Sequence, residues 1–182
     1  SDSKKIGFPV VLKINSNEII HKTEIKGVFR NLNSEDDVKK TLKHLSKLGK
    51  EILIEKMIQN VVTEMIIGIK IDDQFGPVII IGAGGIYTEL MNDSVTLLLP
   101  LTKSIILKAI NSLKISKLLK GYRGKSRGDI EAVVQTVMKI GIFAEKNASH
   151  LIEVDINPLI VRTKGKGVIA VDALIHYLEE IR

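Results

Sequence analysis

The sequence predicts a mixed α/β chain, or α+β, built as two lobes with mostly antiparallel strands. Three observations lead there. Strand-like runs crowd the stretch from residue 51 to 101, with turn residues rather than helices between them. Helical periodicity is confined to separate stretches before and after that block. The regular strand–helix alternation that builds a doubly wound parallel sheet is missing. The join of the lobes is expected near Met57–Asn60, giving a first lobe over residues 1–57 and a second over 58–182.

Each element has its own signal. Val10-Val11-Leu12-Lys13-Ile14 reads as a strand, opened by Gly7-Phe8-Pro9 with almost no element before it. Ser34 caps a helix whose first turn carries Glu35, Asp36 and Asp37 against the positive end of the dipole. Val38, Leu42, Leu45 and Leu48 recur at helical spacing, and Gly49 supplies the stop. Glu51–Ile58 alternates as a strand. Thr63–Ile71 is a second one, with Glu64, Gly68 and Lys70 on one face and Met65, Ile67 and Ile69 on the other. Asp72-Asp73-Gln74-Phe75-Gly76-Pro77 is turn chemistry, and Val78–Ile81 reads as a strand buried on both faces.

Gly82-Ala83-Gly84-Gly85 is expected to be a flexible loop. Ile86–Leu90 and Thr96–Leu101 are expected to form a hairpin around Asn92-Asp93-Ser94. Helices follow at Lys103–Leu113 and Ile115–Lys120, ended by Gly121-Tyr122-Arg123-Gly124. Asp129 caps a long helix to Asn147 whose apolar stripe is Ile130, Val133, Val134, Val137, Ile140 and Ile142. A C-terminal hairpin pairs Leu151–Arg162 with Val168–Ala173 across Lys164-Gly165-Lys166-Gly167, and a short tail helix closes the chain.

Composition narrows the function classes. The chain has 182 residues, 45% hydrophobic and 26% charged, so it can bury a core and is not a disordered array. It has no Cys, which excludes disulfides, thiolate zinc sites and a cysteine nucleophile. Aromatics are 4% with no Trp, which argues against a stacking platform for single-stranded nucleic acid. The net charge of +6 favours anionic ligands or simply a solvated lysine surface. No run approaches the roughly 18 apolar residues of a membrane span, and no signal-peptide pattern opens the chain. A soluble, cytoplasmic protein is expected, with neither membrane nor nucleic acid as partner.

Four groups could carry chemistry, each with a plainer reading beside it. Lys13, among aliphatic residues, is either a strand-end lysine reaching solvent or a point charge held against phosphate. His21 lies in a polar segment with Lys22, Thr23 and Glu24, and is either an ordinary surface histidine or a nucleophilic imidazole. Gly82, Gly84 and Gly85 permit close backbone approach to a ligand, or mark a tight strand crossing. Folding at Gly165 sets Asn157 opposite Asp172, with Asp155 on the same face unless Pro158 perturbs the strand. These oxygens are either a hydrogen-bonded hairpin end or ligands suited to Mg²⁺.

The ordered series Phe8-Pro9-Val10-Val11-Leu12-Lys13, Ile20-His21-Lys22-Thr23-Glu24, Phe75-Gly76-Pro77 and Gly82-Ala83-Gly84-Gly85 resembles a known family. So do Leu118-Leu119-Lys120-Gly121-Tyr122-Arg123-Gly124, Glu153–Leu159 and Ala170-Val171-Asp172-Ala173. The chain is similar to the ATP-grasp domain, or β subunit, of the NDP-forming (ADP-forming) acyl-CoA synthetases, relatives of succinyl-CoA synthetase. The resemblance spans nearly the whole chain.

It implies an ATP-grasp fold of two lobes around a nucleotide cleft, with ATP or ADP and Mg²⁺ as cofactors. By resemblance Lys13 contacts phosphate, Glu55, Lys56 and Met57 form the hinge facing adenine, and Glu64 lies near the ribose. Gly82, Gly84 and Gly85 lie under the phosphates. Asn157 and Asp172 match the Mg²⁺ ligands, Asp155 an acid beside the transfer site, and His21 a histidine that accepts the phosphoryl group. Glu24 and Asp155 are candidate orienters of that imidazole. The implied reaction is acyl-CoA, ADP and phosphate giving carboxylate, ATP and CoA, reversibly. It requires the CoA-binding and ligase domains of an α subunit or a fused chain, in a hetero- or homo-oligomer.

Some features depart from the family. A further helix and strand usually precede Phe8, so the first lobe is expected to be truncated at its N-terminus or completed by a partner. Lys26 stands where relatives often have Gly, and Leu97 where acetate-type enzymes often have Arg. The alternative reading is a non-catalytic regulatory domain of the kind fused to protein lysine acetyltransferases.

Overall fold

The computed structural model describes residues 2–15, 27–47, 51–85 and 92–178. The chain separates into two compact units, Ser1–Gln59 and Asn60–Arg182. The join expected after Met57 lies two residues upstream of that division.

The first unit is a three-stranded antiparallel sheet in the order β2-β1-β3, made of β1 (Val10–Ile14), β2 (Val28–Leu32) and β3 (Ile52–Lys56). Strand parity sends Val10, Leu12 and Ile14 into a core with Leu32, Val38 and Leu45, where the three β1 residues have no exposed surface. Helix α2 (Glu35–Leu45) covers that face. Its start is a reciprocal capping box: Ser34 Oγ accepts from the Asp37 amide at 3.1 Å, and the Asp37 carboxylate accepts from the Ser34 amide at 3.1 Å. The Ser34 hydroxyl bond, then the Asn33 amide, holds the Asp37 carboxyl below the usual carboxylate range.

Two elements were not evident from periodicity. Asp2–Ile6 is helix α1, where almost no preceding element was expected. Val28–Leu32 is too short and polar to stand out, and is a strand because β1 offers it an edge. The Gly49 stop lies outside the described residues.

The second unit is a six-stranded sheet in the order β6-β5-β4-β7-β8, with β9 also on β7. The strands are β4 (Val61–Asp72), β5 (Gly76–Ala83), β6 (Ser94–Leu98), β7 (Leu151–Arg162), β8 (Val168–Ala170) and β9 (Ala173–Tyr177). All the pairings are antiparallel, as the missing strand–helix alternation implied. Helices α3 (Lys103–Ser112), α4 (Ser116–Leu119) and α5 (Ile130–Asn147) pack on one face. Met65, Ile67 and Ile69 bury there with Ile79, Ile81, Ile110 and Val137. The other face of β4 carries Glu64, Gly68 and Lys70.

Three expectations are corrected, and one lies partly outside the described residues: Thr96 of β6 stands opposite Ile80 of β5, while Ile86–Leu90, the other arm of the expected hairpin, is not among them. Gly82 and Ala83 belong to β5 rather than to a loop. Ile142 is 48% exposed, because the buried stripe of α5 turns through Gly141 and Ala144 instead. Gly141 lies close against Leu101, whose side-chain end a Cβ there would meet at 2.9 Å. Residues 173–177 form a strand, not a tail helix. The hairpin register that pairs Leu159 with Ala170 continues through Ile156 and Ala173, so β7 captures the chain as β9.

Asp129 does more than cap α5. It is buried, accepts from the Ala132 amide at 3.2 Å, and takes the Gly165 and Gly167 amides at 2.9 and 2.8 Å. Asp129→Ala is expected to lower stability by about 2 kcal/mol, since a charged cap and two further acceptor bonds go together. Denaturant titration checks this; a loss under about 0.5 kcal/mol would mean that water replaces the carboxylate.

Candidate functional site

In the second unit the polar residues collect on the sheet face opposite the helices. Asp155 on β7 lies between Gly68 of β4 and Leu174 of β9 in register, and Glu153 lies between Lys70 and His176. A register shift against β4 between Met65 and Ile67 marks a bulge where Asn157 and Pro158 sit, so strand parity is broken there. Asn157 uses the break. Its Oδ1 accepts from the Gly85 amide at 2.9 Å, and its own amide donates to the Asp172 carbonyl at 3.1 Å. The expected pairing of Asn157 with Asp172 is therefore present.

The end of β5 closes on the same place. The Gly84 amide donates to the Glu64 carbonyl at 3.0 Å. A Cβ at Gly84 would overlap the Met65 carbonyl, and one at Gly85, where φ is +62°, would overlap Glu64 Oε2. These two glycines let backbone amides approach β4 and Asn157 at a distance no side chain permits. Gly82 differs: its open side faces the Asp93 carbonyl and Ser94 of its own sheet. Gly84→Ala is expected to destabilise the fold by roughly 2–4 kcal/mol, because the obstructing atoms are backbone. A melting curve indistinguishable from wild type would refute that crowding.

Asp155 is the least comfortable group of the face. Its Oδ1 is buried with no hydrogen-bond partner among the described residues. Burial, then the charges of Glu153 and Asp172, push its carboxyl above the usual carboxylate range, with Lys70 pulling the other way. A buried oxygen without a donor is costly unless a cation or donor comes to it. The residues fit Mg²⁺ in this respect. Asn157 Oδ1, Asp172 and Asp155 are hard oxygen donors, too few for a closed protein cage. Magnesium takes one or two carboxylates and fills its other positions with water and phosphate. Among the described residues no group of three His, Cys, Asp or Glu side chains forms a self-sufficient metal cage.

In the first unit, Lys13 is 9% exposed and its Nζ lies 2.9 Å from Glu55 Oε2. Glu55 stands beside Val11 in register, so the pair shares the face of β1 away from α2. Lys56 is exposed, and the Met57 amide donates to the Pro9 carbonyl at 2.9 Å, fixing the end of β3. The Lys13 side chain is mostly buried and its ammonium is paired with Glu55. His21, together with Glu24, lies outside the described residues.

The ATP-grasp domain family matches residues 2–176. The chain is 33% identical over 182 residues to the β subunit of acetate–CoA ligase (ADP-forming) II of Pyrococcus furiosus, covering 95% of this chain and 77% of that one. This chain belongs to the ATP-grasp domains of the ADP-forming acyl-CoA ligases. It is also 37% identical to the 4-hydroxybutyrate–CoA ligase (ADP-forming) of Nitrosopumilus maritimus, covering 95% of this chain but 26% of that protein. So the domain spans most of a separate β subunit and about a quarter of such a single-chain ligase. Among solved structures, acetyl-coenzyme A synthetase 1 of Ca. Korarchaeum cryptofilum superposes with a TM-score of 0.80 at 37% identity, covering 97% of this chain and 79% of that one. That protein was captured with coenzyme A and Mg-AMPPCP, its phosphohistidine segment pointing towards the nucleotide binding site.

The ATP-grasp fold expected from the resemblance is thus present, and the relatives are ligases. They lend no support to the regulatory alternative. Among the described residues no helix of this ATP-grasp domain is long and apolar enough to cross a membrane. Two residues on the polar face were not singled out from sequence: Glu153 and His176, whose Nδ1 lies 2.8 Å from Glu153 Oε1. Strand parity placed Lys70 on this face without giving it a role, and could have found Glu153. His176 was hidden by the expectation of a tail helix.

Proposed function

We propose that this domain moves a phosphoryl group between a phosphohistidine and ADP, as the ATP-grasp component of an ADP-forming acyl-CoA synthetase. The observation that supports it best is the polar face of the second unit. Two glycine amides, Asn157 and two carboxylates converge there, and one carboxylate oxygen is buried without a donor. Lys13 neutralises phosphate charge and Glu55 holds its ammonium in place. The backbone around Glu55, Lys56 and Met57 reads the adenine, and Glu64 reads the ribose. Gly84 and Gly85 leave room for the phosphates, their own amides being held by the Glu64 carbonyl and Asn157 Oδ1, with Gly82 setting the end of β5. Asn157 and Asp172 would hold Mg²⁺, which supplies charge neutralisation across the phosphates.

His21 accepts the phosphoryl group, and Asp155 keeps its imidazole oriented with the reactive nitrogen free. Such transfer is mostly positioning and electrostatics, which this set of groups provides. Acyl activation belongs to CoA-binding and ligase domains on an α subunit or a fused chain, assembled in the cytoplasm. The acyl specificity would lie there too.

The test is incubation of the purified chain with γ-labelled ATP and Mg²⁺. Acid-labile label is expected at His21, and none in His21→Ala. Mg-ADP binding without any label, even after the partner domains are added, would overturn the transfer role.

A further inference from the structure

The chain's net charge of +6 is not spread evenly over the structure. Six exposed cations stand on two loops of the second unit: Lys120, Arg123, Lys125 and Arg127 on the first, Lys164 and Lys166 on the second. The loops are one surface. The Lys164 amide donates to the Arg127 carbonyl at 2.8 Å, Gly128 bridges Thr163, and the Asp129 carboxylate holds the Gly165 and Gly167 amides. Asp129, the acid at their centre, is consumed in these bonds. Among the described residues no ion pair involves any of the six.

Three features separate this surface from an ordinary solvated lysine face. Its two loops are tied together at one end, by Asp129 and the backbone bonds of Arg127 and Gly128. It carries an aromatic anchor: Tyr122 is 45% exposed, with the Arg123 guanidinium 5.2 Å from its ring centroid. Exposed Tyr and Arg together are what protein interfaces enrich, whereas lysine-only surfaces are depleted there. And Arg123 has φ +49°, a left-handed conformation costing roughly 1–2 kcal/mol for a residue with a Cβ. Glycine would relieve that cost, yet an arginine stands there and lies over Tyr122.

The surface is also distant from the polar face. From Asn157 to Arg162 along β7, a rise of about 3.3 Å per residue makes about 16 Å. These cations therefore do not touch a phosphate held at Asn157 and Asp172.

We propose that the 120–128 and 163–167 loops form a docking surface for an acidic protein face, that of the partner half which presents the phosphoryl group. This rests on the transfer function proposed above. Tyr122 and Arg123 anchor the contact and the four lysines and Arg127 steer it, raising the association rate and making it salt-dependent.

The experiment measures association of this chain with the separately produced CoA-binding half, for wild type and for the triple variant Arg123→Glu/Lys125→Glu/Lys164→Glu. Mg-ADP affinity is measured on both as a report on fold and nucleotide site. At about 50 mM salt the triple variant is expected to associate at least tenfold more weakly, with the gap shrinking as salt rises toward about 0.5 M. Its Mg-ADP affinity is expected to stay within about twofold of wild type, since the charges are beyond contact with the nucleotide. Tyr122→Ala is expected to speed dissociation with little change in salt dependence. Association unchanged in the triple variant overturns the docking surface and leaves the transfer function standing. Failure of the wild-type chain to bind Mg-ADP overturns the transfer function instead. Tighter binding to a duplex nucleic acid than to the partner half, lost in the triple variant, would reassign the surface and overturn the proposal.

Discussion

Lys13→Met is expected to cut phosphoryl transfer by about 10²–10³-fold and to weaken Mg-ADP binding by roughly tenfold or more, while the fold stays nearly as stable. The contrast follows from where the side chain sits. Lys13 is 9% exposed on the face of β1 away from α2, with Glu55 Oε2 at 2.9 Å. A lysine side chain this far out of water is attracted to a phosphate oxygen with less screening than at the surface. The lysine is also oriented in advance by the glutamate, so little side-chain freedom is lost when the nucleotide binds.

Stability responds differently. Taking a buried charge out removes a desolvation cost along with the ion-pair attraction, and Met fills a similar volume. Glu55 is 37% exposed and can recover water. The melting temperature is expected to move by no more than a few degrees. Glu55→Gln separates the roles: the lysine keeps its charge and loses its partner, so binding should weaken less than in Lys13→Met. Isothermal titration with Mg-ADP and label transfer decide the matter. Equal nucleotide affinity in Lys13→Met and wild type would return Lys13 to a structural ion pair.

The sequence was readable where one local rule decided the outcome. Ser34 and Asp37 make a cap from three residues of context, and β4 shows its two faces by parity alone. Asp172 opposite Asn157 followed from a turn at Gly165 and a count along two strands. What escaped depended on partners distant in sequence. Val28–Leu32 is a strand because β1 pairs with it, and residues 173–177 are a strand because β7 runs on past Asn157. Periodicity in five residues cannot separate such segments from a helical turn. The same limit governs the site. Hard oxygen donors and glycines can be read from sequence. The bulge that turns Asn157 Oδ1 toward the Gly85 amide, and the burial that strands Asp155 Oδ1, are products of packing.

That stranded oxygen leads to the second large effect. Asp155→Asn is expected to raise the melting temperature at neutral pH and, in the same protein, to reduce phosphoryl transfer by about 10²-fold or more. In wild type the folded carboxyl binds its proton more tightly than the unfolded chain does, chiefly through burial, then through Glu153 and Asp172. As pH rises from the ordinary aspartate value of about 4 through the raised folded value, the unfolded state binds fewer protons than the native state. The stability slope with pH is then negative, so the ionised carboxylate burdens the fold fully above that window and not at all below it. An asparagine carries no such burden, and the two melting curves are expected to converge toward about pH 4 and separate above it. Thermal melts of both proteins across that range test the sign. A lower melting temperature for Asp155→Asn at neutral pH would mean that the charge is compensated in the fold. A site that keeps a carboxylate at a cost to its own fold has a use for the negative charge, and orienting an imidazole or meeting a cation that arrives with the nucleotide is such a use.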